Sequence, residues 1–265
     1  MKPLRLHWAS SKPNFGDVLS PLICARVAGR SVVWAPAGEC DLVALGSLMQ
    51  RVKERFWNKR ISVWGAGFIA AEKPHRSRHR LCALRGKLSA AIVGAGDEVA
   101  LGDPGLLASL LIEHEPPPAT RRGCLIIPHY KDRDCPELLA AVRDLAGVEL
   151  VDVFSPPLEI LRRIRAAEVV LSSAMHGLIA ADSLGVPNAW LKVSDALRGG
   201  DFKFRDYYSV FGIEPPQIGL NANLLHDASV IVDTYRRPGI EMIKDGLLRS
   251  FPPDLAGAPG RPQRG

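Results

Sequence analysis

The chain has 265 residues, 47% of them hydrophobic, and a formal charge of +6. That length buries one large core or two modest ones, which excludes a peptide or a disordered protein. The positive balance admits phosphate compounds, lipid headgroups or nucleic acid as partners and selects none of them.

The cysteines Cys24, Cys40, Cys82, Cys124 and Cys135 are scattered, with no CxxC spacing, so neither a zinc knuckle nor a disulfide framework is expected. Reduced thiols in a cytoplasmic protein are the expectation. The opening MKPLRLHWASSKPNFGD lacks the apolar core of a secretion signal, and no later run approaches membrane-spanning length. Membrane association, if any, is expected to be peripheral.

Leu4 to Trp8 reads as a strand and Ser11 to Asp17 as a polar loop, with Asp17 placed to cap a helix through Val18, Leu22, Ile23 and Val27. Pro21 fits that helix only in its first turn. Further strands are expected at Ser31 to Ala35, Asp41 to Leu45 and Ile61 to Trp64, the last followed by Gly65-Ala66-Gly67-Phe68. Neither this GAGF nor the GAGD near residue 94 supplies GxGxxG between a strand and a helix, so a dinucleotide site is disfavoured. Gly65 and Gly67 serve either a tight turn or a close approach of backbone to substrate. The segment from Glu72 to Lys87 is strongly basic and reads largely as a solvated loop. Arg85 stands apart because it ends the run Leu81 to Leu84, where a guanidinium could project over a cleft and hold a carboxylate or phosphate. An apolar helix-like stretch from Leu106 to Ile112 precedes Glu113 to Thr120, the clearest candidate linker, which contains Pro116, Pro117 and Pro118.

The pattern then restarts. Cys124 to Ile127 is a buried-strand candidate followed by Pro128-His129-Tyr130-Lys131, Pro136 to Leu145 a helix, Glu149 to Phe154 a strand and Pro157 to Ala167 a helix. Glu168 to Pro187, reading EVVLSSAMHGLIAADSLGVP, is a strand, a tight turn at Ser172 and Ser173, and a helix opening near His176 or Gly177. A helix start leaves free backbone N–H groups, so an anion is welcome beside His176. His129 and Lys131 follow one predicted strand and His176 another. In a parallel sheet such strand ends face one crevice, so the three are expected to meet. His129 is open to a structural role or to substrate contact. Phe202 to Tyr208 is open to two readings: an interface loop packed by its aromatics, or a site loop with Lys203 and Arg205 near an anion. Residues from Ala222 to Phe251 read as mainly helical, broken at Pro238 and Gly239, and the Pro- and Gly-rich end reads as a frayed tail.

Taken together, several pieces resemble the polysaccharide pyruvyl transferase family, especially its bacterial exopolysaccharide ketal-forming branch. They are Trp8 with Asn14-Phe15-Gly16-Asp17, Val63-Trp64-Gly65-Ala66-Gly67, Arg85-Gly86, Leu101-Gly102-Asp103-Pro104, Ile127-Pro128-His129-Tyr130, the block Ser172 to Pro187, and Phe202 to Tyr208. The resemblance implies an α/β protein of two Rossmann-like domains in a GT-B-like arrangement. The expected boundaries are an acceptor-side domain over 1–115, a donor-side domain over 121–220, a helical segment over 221–251 and a flexible tail over 252–265.

It further implies transfer of a pyruvyl group from phosphoenolpyruvate to a saccharide diol, closing a cyclic pyruvate ketal. In that reading His176 transfers a proton, and Asp17 orients or deprotonates the sugar hydroxyl. Arg85, Lys131, Lys203 and Arg205, with the backbone near Gly177, hold the donor anion. Asn14, Gly16, Gly65, Gly67, His129 and Tyr130 form the acceptor side or the cleft. A lipid-linked oligosaccharide at the inner face of the cytoplasmic membrane is the implied acceptor. No resident cofactor, metal or nucleic-acid partner is expected. Some relatives carry arginine where this chain has Ala174, two residues before His176, so donor binding through that position does not transfer. A nucleotide-sugar glycosyltransferase and a non-catalytic carbohydrate-binding or assembly protein are the alternatives.

Overall fold

The protein is described here by a computed structural model covering residues 2–12, 14–193 and 200–257. Its first half alternates short apolar strands with helices: Leu4–His7 (β1), Phe15–Ala28 (α1), Val32–Trp34 (β2), Leu42–Val43 (β3), Ser62–Trp64 (β4), Arg80–Leu84 (β5), Lys87–Val93 (α2) and Ala100–Leu101 (β6). The strands lie parallel in the order β2-β1-β3-β4-β5-β6. The second half repeats the scheme with Cys124–Ile127 (β7), Pro136–Val142 (α3), Val148–Leu150 (β8), Pro157–Ala166 (α4), Val169–Ser172 (β9), Met175–Ser183 (α5), Asn188–Lys192 (β10), Phe202–Tyr208 (α6), Gln217–Gly219 (β11) and Leu224–Thr234 (α7). Its strands are also parallel, ordered β11-β10-β9-β7-β8. In both sheets the first strand lies between the second and the third, so chain direction across the sheet reverses beside β1 and β3 in one and beside β7 and β9 in the other. These are the positions at which open parallel sheets form crevices.

The two α/β domains, each with a parallel sheet, are consistent with a Rossmann-like or GT-B-like fold, and they share one apolar core. A buried 3-10 helix, Pro104–Leu111, packs against α1 and α5. A Cβ on Gly105 would approach Ile179 Cγ2 to 2.7 Å, so glycine permits this contact. Ser109 N donates to Ser183 Oγ at 2.9 Å, and that hydroxyl donates to the Leu106 carbonyl at 2.7 Å. The helix Ile240–Ser250 (α8) leaves the second domain and packs against β6 of the first. There Trp64 Nε1 donates to the Leu247 carbonyl at 2.9 Å, and the Trp64 and Phe251 rings meet edge to face with centroids 4.9 Å apart.

Several local expectations are corrected. Asn14, not Asp17, caps α1: its side chain accepts from Gly16 N at 3.1 Å and Asp17 N at 3.4 Å, which starts the helix at Phe15. Pro21 consequently lies inside the helix, where it has no N–H to offer the turn before it. The strand expected over Glu149 to Phe154 ends at Leu150, and the Val153 carbonyl instead accepts from Phe15 N of the other domain at 2.8 Å. Phe202–Tyr208, expected to be a loop, is itself a helix whose rings face inward: Phe204 stacks on Trp190 with centroids 4.1 Å apart. Leu106 to Ile112 is 3-10 rather than α-helical for most of its length. The part of the tail over 252–257 is anchored, with Gly257 N donating to the Ala28 carbonyl at 2.6 Å and Asp254 paired with Arg80. Residues 258–265 of that segment lie outside the described residues. All five cysteines are free thiols. Among the described residues no helix is long and apolar enough to cross a membrane.

Candidate active site

The turns after β1, β3, β7 and β9 converge between the domains around a cavity of about 510 Å³. From the first domain come Trp8, Lys12, Asn14, Gly16, Asp17, Ser20, Gly46, Ser47 and Arg51. From the second come His129, Tyr130, Lys131, Asp132, Ala174, His176 and Lys203. The expectation that strand ends separated in sequence would face one crevice therefore corresponds to what the fold assembles.

His176 is the second residue of α5. Ser172 Oγ donates to the Ile127 carbonyl at 2.7 Å and accepts from Ala174 N at 3.1 Å, which ties the turn before the helix to β7. The ring then crosses the domain boundary into space left by glycines. A Cβ on Gly16 would stand 2.3 Å from His176 Nδ1, and one on Gly46 would stand 3.4 Å from Cε1. His176 Nε2 has no hydrogen-bond partner among the described residues. Burial, with Arg85, Lys203 and His129 nearby, pushes the imidazole down to about 3, which favours the neutral ring.

Asp17 lies in the first turn of α1 and accepts from Asn14 Nδ2 at 2.7 Å. Burial raises its carboxyl to about 7, against the opposing effects of the Asn14 hydrogen bond and the charge of Arg51. A carboxyl so poised is half ionised near neutrality, the range in which a general base works best. One helical turn further, Ser20 also lines the cavity, 1% exposed, and its Oγ is without a partner among the described residues.

The opposite wall is cationic. Lys203 is buried, and burial followed by repulsion from Arg85 lowers its ammonium to about 8. His129 is lowered to about 4 by burial and then by Lys203, and its Nδ1 accepts from Lys131 N at 3.3 Å, which leaves the proton of the neutral ring on Nε2. Its own backbone N–H donates 2.7 Å to Ser173 Oγ, and that hydroxyl donates 2.7 Å to Asp132, so the turns after β7 and β9 are locked together. Tyr130 stacks at a tilt on His129, and Lys12 Nζ sits 5.6 Å from the centre of its ring.

Other anticipated residues lie off the cavity. Arg85 is fully buried: Nε donates to Asp206 Oδ2 at 2.9 Å, Nη1 to Ser47 Oγ at 2.7 Å, and Nη2 to the Phe68 carbonyl. A guanidinium engaged on all its nitrogens is a brace between β5 and α6 rather than a projecting ligand. Arg205 is exposed on α6, outside the cavity lining. Gly67 makes room for that guanidinium, because a Cβ there would come within 2.5 Å of Arg85 Cζ. Gly65 turns the chain at φ +84° against Pro104. Gly177 N donates to the Ala174 carbonyl at 3.0 Å, and the missing side chain lets α5 approach Ser172. Conversely, Lys12, Ser20, Ser47 and Arg51 were not anticipated. Ser20 had a signal, since it stands three residues after Asp17 on the same helical face; Arg51 had none. Among the described residues no group of His, Cys, Asp and Glu is gathered that could hold a metal ion.

Two α/β domains with parallel sheets thus enclose between them a cavity lined by His176, Asp17, Lys12, Arg51, Lys131 and Lys203. The chain belongs to the polysaccharide pyruvyl transferase family, which it matches over residues 2–195. It is 27% identical over 252 residues to an uncharacterized protein of Acanthamoeba polyphaga mimivirus, covering 91% of this chain and 86% of that one. It is likewise 27% identical over 217 residues to the succinoglycan biosynthesis protein ExoV of Rhizobium meliloti, covering 80% of this chain and 66% of that one. Among solved structures it resembles a glycotransferase of kitacinnamycin, with 17% identity, TM-score 0.30, and 52% of this chain and 41% of that one covered. It also resembles an uncharacterized protein from Klebsiella pneumoniae, with 10% identity, TM-score 0.41, and 83% and 93% covered. Family membership supports an enzyme, broadly a transferase of polysaccharide biosynthesis.

Proposed function

We propose that the chain transfers a pyruvyl group from phosphoenolpyruvate to two hydroxyls of a saccharide, forming a cyclic pyruvate ketal, with its domains in a GT-B-like arrangement. The observation that carries this reading is the placement of His176, whose Nε2 has no partner among the described residues, in the same cavity as Asp17, whose carboxyl is raised to about 7. Lys203 and Lys131, with Arg51 and Lys12 on the facing wall, supply positive charge for the phosphate and carboxylate of the donor.

The chemistry follows from the donor. An enol phosphate becomes electrophilic at its central carbon only when the methylene carbon gains a proton. A neutral histidine cannot supply one. The donor trianion favours the imidazolium and raises its pKa, and this reading has His176 take up its proton as the donor binds. Proton transfer from His176 to the methylene carbon leaves a cation at the central carbon, which the first sugar hydroxyl attacks as Asp17 takes its proton. The second hydroxyl then displaces phosphate from that carbon, and its proton leaves with the phosphate or returns to His176. The balance is one donor and one diol giving one ketal and one phosphate.

The proposal extends to a lipid-linked oligosaccharide acceptor handled at the inner face of the cytoplasmic membrane. Peripheral contact with an anionic surface is supported by the loop over 53–60, where Phe56 and Trp57 are 83% and 64% exposed among Lys53, Arg55, Lys59 and Arg60. The test is phosphate release from phosphoenolpyruvate with a panel of bacterial lipid-linked oligosaccharides, followed by mass spectrometry of the saccharide. Acceptor-dependent release with a ketal-sized mass gain, lost in His176→Ala, is expected. Consumption of a nucleotide sugar instead, or of neither donor with a verified pathway acceptor, would replace this reading with glycosyl transfer or with binding alone.

A further inference from the structure

Val33 and Trp34 end β2, the edge strand of the first sheet, with 42% and 46% of their surfaces exposed. Scattered exposed apolar side chains are ordinary in folded proteins, so exposure alone means little. Trp34 differs in being held in place. Its Nε1–H donates to the Trp8 carbonyl at 3.1 Å, and its ring lies 6.0 Å from that of His7 at 49°. The backbone beside it is fixed as well, since Ala35 N donates to the Leu6 carbonyl at 2.9 Å. Trp8, whose carbonyl holds the indole, itself lines the cavity, so Trp34 is one hydrogen bond removed from a cavity-lining residue.

An indole in this state has its polar atom satisfied by the protein and part of its flat surface left to water. A partner laid on it need not break a hydrogen bond, and the ring loses little freedom on binding. The residues next to it in the chain are small and uncharged: Ala35, Pro36, Ala37 and Gly38 follow Trp34, and Ala9, Ser10 and Ser11 follow Trp8. A flat indole face of this kind matches the C–H face of a pyranose, which is apolar on the face and polar at the rim.

We propose that Trp34 is a stacking platform for a sugar residue of the acceptor lying outside the reacting diol, so that the site takes an oligosaccharide rather than a single sugar. This rests on the saccharide acceptor proposed above and adds a length requirement to it. The platform binds without the donor, so it is tested apart from the chemistry.

The experiment is equilibrium titration of the full chain, without phosphoenolpyruvate, with neutral hexopyranose oligosaccharides of increasing length from the monosaccharide up, followed by isothermal calorimetry. The variants are Trp34→Ala and Trp34→Phe. The expected result is an affinity that rises by about tenfold once the saccharide reaches past the cavity, is lost in Trp34→Ala and is largely kept in Trp34→Phe. Affinity independent of length, length dependence that survives Trp34→Ala, or no saccharide binding would each overturn the platform. So would a dimer of the wild-type chain in light scattering that Trp34→Ala dissolves, because the indole would then be covering a second copy. Phosphate release from phosphoenolpyruvate with a verified acceptor stands independently: if it persists while the length dependence fails, the platform alone is wrong.

Discussion

Gly16 and His176 come from opposite domains and share one space, so that a Cβ at residue 16 would stand 2.3 Å from His176 Nδ1. The helix start of the first domain thus shapes the seat for the histidine of the second. Gly16→Ala is expected to cost stability, because a Cβ 2.3 Å from Nδ1 and 2.9 Å from Cβ of His176 forces that buried ring to move, and a helix-propensity gain of at most about 1 kcal/mol offsets only part of the clash. Turnover is expected to fall by about 100-fold as the imidazole is displaced. Steady-state kinetics beside a denaturant titration will check this, and a wild-type rate would remove His176 from its proposed position.

Asp17 makes the reaction depend on pH. A base raised to about 7 is active only when ionised, so kcat/KM for the acceptor should rise with pH and level off above about 7. Asp17→Asn should lower kcat by about 100-fold or more and abolish that limb. Stability runs the other way. The folded pKa lies above the ordinary 3.8, so the folded state favours the proton, and the stability this group contributes at low pH is lost as pH rises through about 7. The thermal midpoint of Asp17→Asn should therefore gain on that of the wild type between about pH 4 and pH 7. A constant difference would mean that Asp17 is not held protonated by burial.

Lys203 and Ala174 both line the cavity. Lys203→Ala is expected to raise KM for phosphoenolpyruvate by about 10- to 100-fold, the worth of a charge-assisted hydrogen bond. Adding Ala174→Arg to that variant should recover part of the loss, because Ala174 also lines the cavity. A donor KM unmoved by Lys203→Ala would shift the anion to Lys131, Lys12 and Arg51.

Arg85 and Asp206 form an ion pair with both side chains at 0% exposure. Removing either partner leaves a buried charge, so Arg85→Ala and Asp206→Ala are each expected to cost about 3–5 kcal/mol of stability by chemical denaturation. Arg205→Ala, on the exposed face of the same helix, should lie within about 0.5 kcal/mol of wild type.

The strand, turn and helix units could be read from the chain because their signals are local: Cys124–Ile127 appears as expected, and the helix of the central block starts at Met175, one residue before the position inferred. Parallel strands also carry a topological consequence, so the meeting of His129, Lys131 and His176 was accessible from strand ends alone. Asn14, Gly16, Asp17, Tyr130 and Lys203 line the same cavity.

What the sequence by itself determined was therefore the alternation of elements, the presence of a histidine at a helix start, and the chemical kinds of group available. Tertiary structure alone decided which charges face the cavity. Arg85 turned inward because Asp206, 121 residues away, accepts from it, and Asp206 also accepts from Ser89 N at 2.8 Å and Ser89 Oγ at 2.6 Å. Arg51 and Lys12 entered the cavity by the course of loops that have no period to read. The raised carboxyl of Asp17 and the lowered imidazole of His176 likewise exist only once the domains close around them, because both shifts arise first from burial, a property of the packed molecule and not of the chain.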